Sequence, residues 1–335
     1  MSLSPGQTLR NGQYTILREL GRGRFAITYL AEKPGGERWL IKVLNPQVLA
    51  GLNDAERDRQ ETLFWQEAIK LARCSGTPHI AKVEMPFKEG ALLCLPVEYL
   101  GGDSLADRPQ RILTEQAALK YIRQVGEALT VVHGQNLVHR DIRPANIFLR
   151  IREGQAEAVL TNFELAINCD TELSRTRKRE LTDGFSPPEL YARGRSIAPY
   201  TDVYSLAATL YELLTGHVPE GATERMVEGK ALTSPQAKNP DISGKTTKAI
   251  ITGMELRPEK RPQTLEAWLL QLGFEKEASK TALPSSINWA KWQTIWAAIA
   301  VIVALLVGIP AWLALRPADP QSETQQPPSE LSSPD

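Results

Sequence analysis

Two stretches of the chain, residues 14–44 and 80–99, hold short apolar and β-branched runs broken by Gly and Pro, the pattern of strands. Between them Asp54–Arg73 sets Leu63, Phe64, Ala68 and Leu71 at helical spacing, which predicts a helix with one buried side. From about residue 114 the pattern turns helical, over 114–132 and again over 202–214. A small β-rich part followed by a larger helical part is therefore expected, and no segment repeats.

A third pattern stands apart. Residues 292–315 carry no charge, and as a helix rising about 1.5 Å per residue they reach about 36 Å, enough to cross a hydrocarbon core of about 30 Å with some tilt. Trp289, Trp292 and Trp296 at one end and Trp312 at the other take the places of interfacial aromatic belts. Lys276, Lys280 and Lys291 precede this run; only Arg316 follows it, ahead of Asp319, Glu323, Glu330 and Asp335. That asymmetry predicts a single-pass protein of the cell membrane, the large N-terminal part cytoplasmic and a short tail outside. Residues 273–291 read as a juxtamembrane linker. The tail, 316–335, is rich in Pro, Ser, Gln and Glu and is expected to be disordered.

Composition narrows the partners. Lys+Arg and Asp+Glu balance at 39 each, without the basic excess of a dedicated nucleic-acid binder, so no nucleic-acid partner is expected. Cys74, Cys94 and Cys169 are too far apart for a metal spacing or a disulfide framework and read as reduced cytosolic thiols. The first residues show no basic region followed by an apolar one, so no signal peptide is expected.

The chemistry begins at Leu20-Gly-Arg-Gly-Arg-Phe-Ala-Ile-Thr-Tyr-Leu-Ala31, where Gly21 and Gly23 would let backbone N–H groups approach phosphate oxygens. A lone Gly-x-Gly is weak evidence. Lys42 lies in the strand-like run 39–44, where an exposed strand lysine is the ordinary reading. Glu67 sits on the side of the 54–73 helix that carries Leu63 and Leu71, where a solvated glutamate is equally ordinary.

The decisive stretch is Leu137-Val-His-Arg-Asp-Ile-Arg-Pro-Ala-Asn-Ile-Phe-Leu149. It resembles the catalytic loop of bacterial eukaryotic-like (Hanks-type) Ser/Thr protein kinases, His-Arg-Asp-x-Lys-Pro-x-x-Asn, with one change. The resemblance runs over 14–272. It implies an α+β class, the bilobal protein-kinase fold, with an N-lobe over about 14–97 and a C-lobe over about 101–272, beside the one transmembrane helix. By the same resemblance Gly21, Gly23 and Ala26 belong to the loop over the ATP phosphates. Lys42 would contact the α- and β-phosphates and pair with Glu67. Val97 takes the gatekeeper position, and Glu98-Tyr99-Leu100 the hinge whose backbone would hold adenine. Asp141 would accept the proton of a substrate hydroxyl, with Arg143 beside it; Asn146 and Asn162 stand at the positions that hold Mg²⁺ or Mn²⁺. Glu189 is expected to pair with Arg261, Asp202 to support the catalytic-loop backbone, and Thr182 to favour Ser/Thr substrates. His139, Phe163 and Leu71 fit an apolar stack linking the lobes.

Four positions depart from the family. Ala26 replaces the third loop glycine. Arg143 replaces a lysine, keeping the charge but with a bulkier, planar head. Leu40 stands where a small alanine usually roofs the adenine. Most serious, Asp-Phe-Gly reads Asn162-Phe163-Glu164. Asn offers one neutral oxygen where hard Mg²⁺ favours a carboxylate, and Glu164 removes backbone freedom at a moving loop. These changes point to a pseudokinase acting as a binding or regulatory module for a cytosolic partner. The alternative is a low-rate Ser/Thr kinase that transfers the ATP γ-phosphoryl group to a protein hydroxyl, with Glu164 brought round to the metal.

Overall fold

The computed structural model describes residues 3–22, 26–74, 76–163, 166–168, 181–192 and 194–275. All of these belong to one unit, Met1–Glu277. The linker beyond 275, the segment 292–315 and the tail lie outside the described residues, as do Gly23, Glu164 and Cys169. No helix among the described residues is long and apolar enough to cross a membrane.

The alternating runs of the N-terminal part form a six-stranded sheet. Its strands are β1 (Thr8–Leu9), β2 (Tyr14–Arg22), β3 (Ala26–Glu32), β4 (Arg38–Leu44), β5 (Phe87–Glu89) and β6 (Leu92–Glu98), in the order β1-β2-β3-β4-β6-β5. The sheet begins ahead of residue 14: Leu9 pairs with Tyr14, and both Leu3 and Leu9 are buried on the face holding Tyr14, Ile16, Tyr29, Trp39 and Ile41. A two-residue strand is too short to show a period, which is why the pattern begins at 14.

Two helices, α1 (Pro46–Ala50) and α2 (Asp54–Arg73), lie between β4 and β5. Asn53 caps α2 through a reciprocal pair of bonds with Glu56, which fixes where the helix starts. Phe64, Ala68 and Leu71 are buried, but Leu63 is 44% exposed. The buried stripe is thus centred on 64, 68 and 71, one position round the helix from Leu63.

The helical part opens with α3 (Glu115–Gly134), capped by Thr114. The short strands β7 (Leu137–Val138), β8 (Ile147–Arg152), β9 (Gln155–Leu160) and β10 (Ile167–Asn168) follow, with a 3₁₀ turn at Pro144–Asn146. Beyond them come α4 (Pro199–Thr215), α5 (Ala222–Val227), α6 (Pro235–Lys238), α7 (Gly244–Gly253) and α8 (Leu265–Leu272). The helix α4 is buried along nearly its whole length, as expected of a helix that is apolar around its circumference. Its hydroxyls are satisfied locally: Thr209 and Thr215 donate to carbonyls four residues back.

The two parts meet along a seam of backbone bonds. Leu160 N–H donates to the His79 carbonyl at 2.8 Å and Ala81 N–H to the Leu160 carbonyl at 3.1 Å. Arg150 of β8 spans from Glu98 (3.0 Å) to Glu157 (3.2 Å), tying the end of β6 to the β8–β9 hairpin. Gly102, in the crossing segment, lies so close that a Cβ there would stand 2.0 Å from the Leu149 carbonyl oxygen. Gly102→Ala therefore forces the crossing backbone aside. It is expected to cost about 1–3 kcal/mol, read as a lowered melting temperature; an unchanged melt would contradict this contact.

Candidate active site

Register decides which side chains share a face of the sheet. Thr28, Lys42 and Leu95 lie opposite one another on β3, β4 and β6, and Leu30, Leu40 and Val97 form the next row on the same face. Leu40, Lys42 and Val97 are half-buried. Leu40 thus sits between Leu30 and Val97 as part of an apolar row beside the lysine. Thr28 and Leu30 were not singled out from the sequence, although the two-residue period from Ala26 places them on this face. Ala26 is half-buried opposite Leu44, and exposed Gly21 pairs with Thr28 where β2 runs into the glycine loop. Glu67 lies within α2, three residues from Lys70, whose ammonium donates to the Ala166 carbonyl.

In the crossing segment, Glu98 is held from both sides: its side chain accepts from Lys82 N–H (3.0 Å) and pairs with Arg150, and its N–H donates to the Lys82 carbonyl at 2.8 Å. Tyr99 and Leu100, half-buried, make no backbone hydrogen bond among the described residues. Half-buried peptide groups left in this state suit a ligand that both donates and accepts.

Asp202, fully buried at the start of α4, organises the catalytic loop. It accepts from His139 N–H (2.8 Å), Arg140 N–H (2.9 Å) and His133 Nε2 (2.9 Å). Burial alone would raise its carboxyl pKa, but the His133 bond, nearby His139 and the His139 N–H outweigh it and hold the carboxyl below its ordinary value. Arg140 itself is left-handed, φ 71°, a conformation the Asp202 anchor helps to hold. Burial pushes the His139 imidazole pKa down against the pull of Asp202 and Asp141. As a neutral ring His139 accepts from Asp141 N–H at 3.3 Å and donates to the Thr161 carbonyl at 3.0 Å. Its ring meets Phe163 edge-on, with centroids 4.7 Å apart. Phe163 and Leu71 are buried in one cluster.

Three side chains converge at the loop. Asn146 Nδ2 donates to the Asp141 carbonyl at 2.8 Å and to Asp141 Oδ2 at 2.7 Å. Asn162 Nδ2 reaches the same Oδ2 at 3.4 Å and Asn146 Oδ1 at 3.3 Å. Arg143 Nε lies 3.2 Å from Asp141 Oδ1. Asn162 adopts φ 63°, a left-handed conformation that Asn and Asp tolerate far better than other L residues. Position 162 therefore keeps the backbone shape an aspartate would take, and loses only the charge.

This donor set fits Mg²⁺ poorly. Among the described residues the one carboxylate in this set, Asp141, is engaged by Arg143 and two amide groups, and no group of three or more His, Cys, Asp or Glu able to hold a metal occurs. Thr182 N–H donates to Ser186 Oγ at 2.9 Å, and the Thr182 side chain makes no hydrogen bond to Asp141 among the described residues. Glu189 and Arg261 meet in a buried bidentate pair, at 2.7 and 2.8 Å.

Comparison with known proteins bears on the family to which this fold belongs. The family profile described as the protein kinase domain matches residues 14–270. Serine/threonine-protein kinase Pkn1 of Myxococcus xanthus is 28% identical over 275 residues, covering 78% of this chain and 38% of its own. Calcium-dependent protein kinase 33 of Arabidopsis thaliana is 28% identical over 290 residues, covering 82% of this chain and 53% of its own. The chain thus spans between about two fifths and a half of the length of these curated relatives. Among solved structures, the apo form of PpkA-294 superposes with a TM-score of 0.64 and 27% identity, over 81% of this chain and 99% of that one. With the bilobal fold, the loop held by Asp202 and these matches together, the chain belongs to the protein kinase domain family.

Proposed function

We propose that this is a membrane-anchored, kinase-like signalling protein that acts as a binding and regulatory module on a cytosolic partner, not as a phosphotransferase. The observation that carries this reading is Asn162. Its carboxamide takes the place of the anionic ligand in the loop and aims N–H groups at Asp141 and Asn146. In active members of the family, charge neutralisation by the cation at this place supplies several kcal/mol to phosphoryl transfer. The anchor rests on the uncharged run 292–315 and its flanking lysines, which favour a cytoplasmic kinase-like domain.

The second reading, a slow Ser/Thr kinase using ATP with Mg²⁺ or Mn²⁺, draws support from the intact Asp141–Asn146 bond and the Asp202 anchor beneath it. Labelled ATP decides between the two. The full chain in detergent micelles, with Mg²⁺ or Mn²⁺, is expected to label neither itself nor a generic protein substrate. Labelling that Asp141→Ala abolishes would overturn the module reading in favour of the slow kinase.

A further inference from the structure

Asp141 Oδ2 and Asn146 Oδ1, the two side-chain oxygens in contact with Asn162, both accept from its Nδ2. The reverse amide orientation would set Asn162 Oδ1 against two acceptors, so the N–H end faces them. A carboxylate at this position has no N–H to give, and three oxygens would then need a cation between them. The carboxamide closes the same triangle without one.

Charge follows the same logic. Asp141 is neutralised by Arg143, whose terminal nitrogens have no hydrogen-bond partner among the described residues and whose side chain is 35% exposed. With Asn at 162 the described residues of the loop offer no uncompensated anion to a polyphosphate, so nothing among them requires a bridging cation. Half-buried Lys42 lies on β4 in the sheet face shared with Leu40 and Val97, and the unengaged backbone of Tyr99 and Leu100 continues directly from the end of β6.

We propose that the Asn162 carboxamide does the work of a divalent cation, so that the cleft takes a nucleoside triphosphate as the free anion, without Mg²⁺ or Mn²⁺. The inference deepens the module reading and rests on it: a site arranged to hold nucleotide without metal is a ligand-sensing site, poorly suited to transfer. Failure of either remains separable, because transfer of label tests the module reading and a binding isotherm tests this one.

The test is calorimetric titration of the full chain in micelles with sodium ATP, in EDTA and again in excess Mg²⁺. Binding in EDTA is expected to be at least as tight as with Mg²⁺, and Lys42→Met is expected to abolish it. Asn162→Asp is expected to weaken binding in EDTA by about tenfold or more and to restore it with Mg²⁺. ATP binding that requires Mg²⁺ or Mn²⁺, no binding in EDTA, or binding that survives Lys42→Met would each overturn the proposal. The native protein alone decides the first two outcomes, so a misfolded variant cannot rescue the idea.

Discussion

Arg261→Ala is expected to lower the unfolding free energy of the kinase-like domain by about 3–5 kcal/mol, the cost of stranding one member of a buried ion pair. Glu189 is fixed by the 3₁₀ turn Pro188–Leu190, and its carboxylate is fully enclosed. Arg261 meets both of its oxygens and also donates to the carbonyls of Glu255 (2.6 Å), Tyr200 (3.2 Å) and Leu256 (3.2 Å). Without the guanidinium, Glu189 keeps only the Thr201 hydroxyl among the described residues, at 3.0 Å, and three carbonyls lose a donor. Lysine offers a single point charge and cannot make the fork, so Arg261→Lys should recover little. The double change Glu189→Leu with Arg261→Leu should cost much less than the single one, because no isolated charge is then buried. Urea denaturation measures all three. A loss below about 1 kcal/mol for Arg261→Ala would show that water enters and solvates Glu189.

How much of this was legible in the sequence depended on which physical signal each residue left. The helix α2 was readable over its whole span, Asp54–Arg73, from the apolar spacing of Phe64, Ala68 and Leu71, while the Asn53–Glu56 cap at its start is a finding of the structure. The Glu189–Arg261 pair and the Asp202 anchor followed from the family resemblance once the catalytic loop was found, and the structure places both with hydrogen-bond geometry. The stripe on α2 was misphased by one residue at Leu63, since 63 and 64 are both apolar and only packing chooses between them. The strand β1 left no signal, being two residues long. Asn162 was legible as a lost carboxylate but not as a gained donor. That depends on a left-handed backbone and on two acceptors brought from residues 141 and 146. Sequence reported the charge removed; only three-dimensional contacts reported what replaced it.

Restoring the family motif, Asn162→Asp with Glu164→Gly, is expected to raise phosphoryl transfer by about 10²–10⁴-fold over the native chain. The magnitude follows from roughly 3–5 kcal/mol of metal-borne charge stabilisation at about 1.4 kcal/mol per decade of rate. The backbone is ready for the change, because Asp accepts the left-handed φ of 63° as readily as Asn does. The contacts at 3.4 Å to Asp141 Oδ2 and 3.3 Å to Asn146 Oδ1 then turn from attractive N–H···O into repulsive O···O. A repaired protein should therefore melt at a lower temperature in EDTA and regain stability when Mg²⁺ is added, whereas the native protein should ignore the metal. Rate and melting report different links of one argument. If the repaired chain becomes Mg²⁺-responsive in its melt yet stays silent toward protein hydroxyls, the cation site has returned but the nucleotide is not presented to Asp141, and the apolar row at Leu40 becomes the place to cut back to alanine. If the native chain already transfers label as fast as the repaired one, and Asp141→Ala stops both, then the carboxamide at 162 is no barrier to catalysis and the module reading fails.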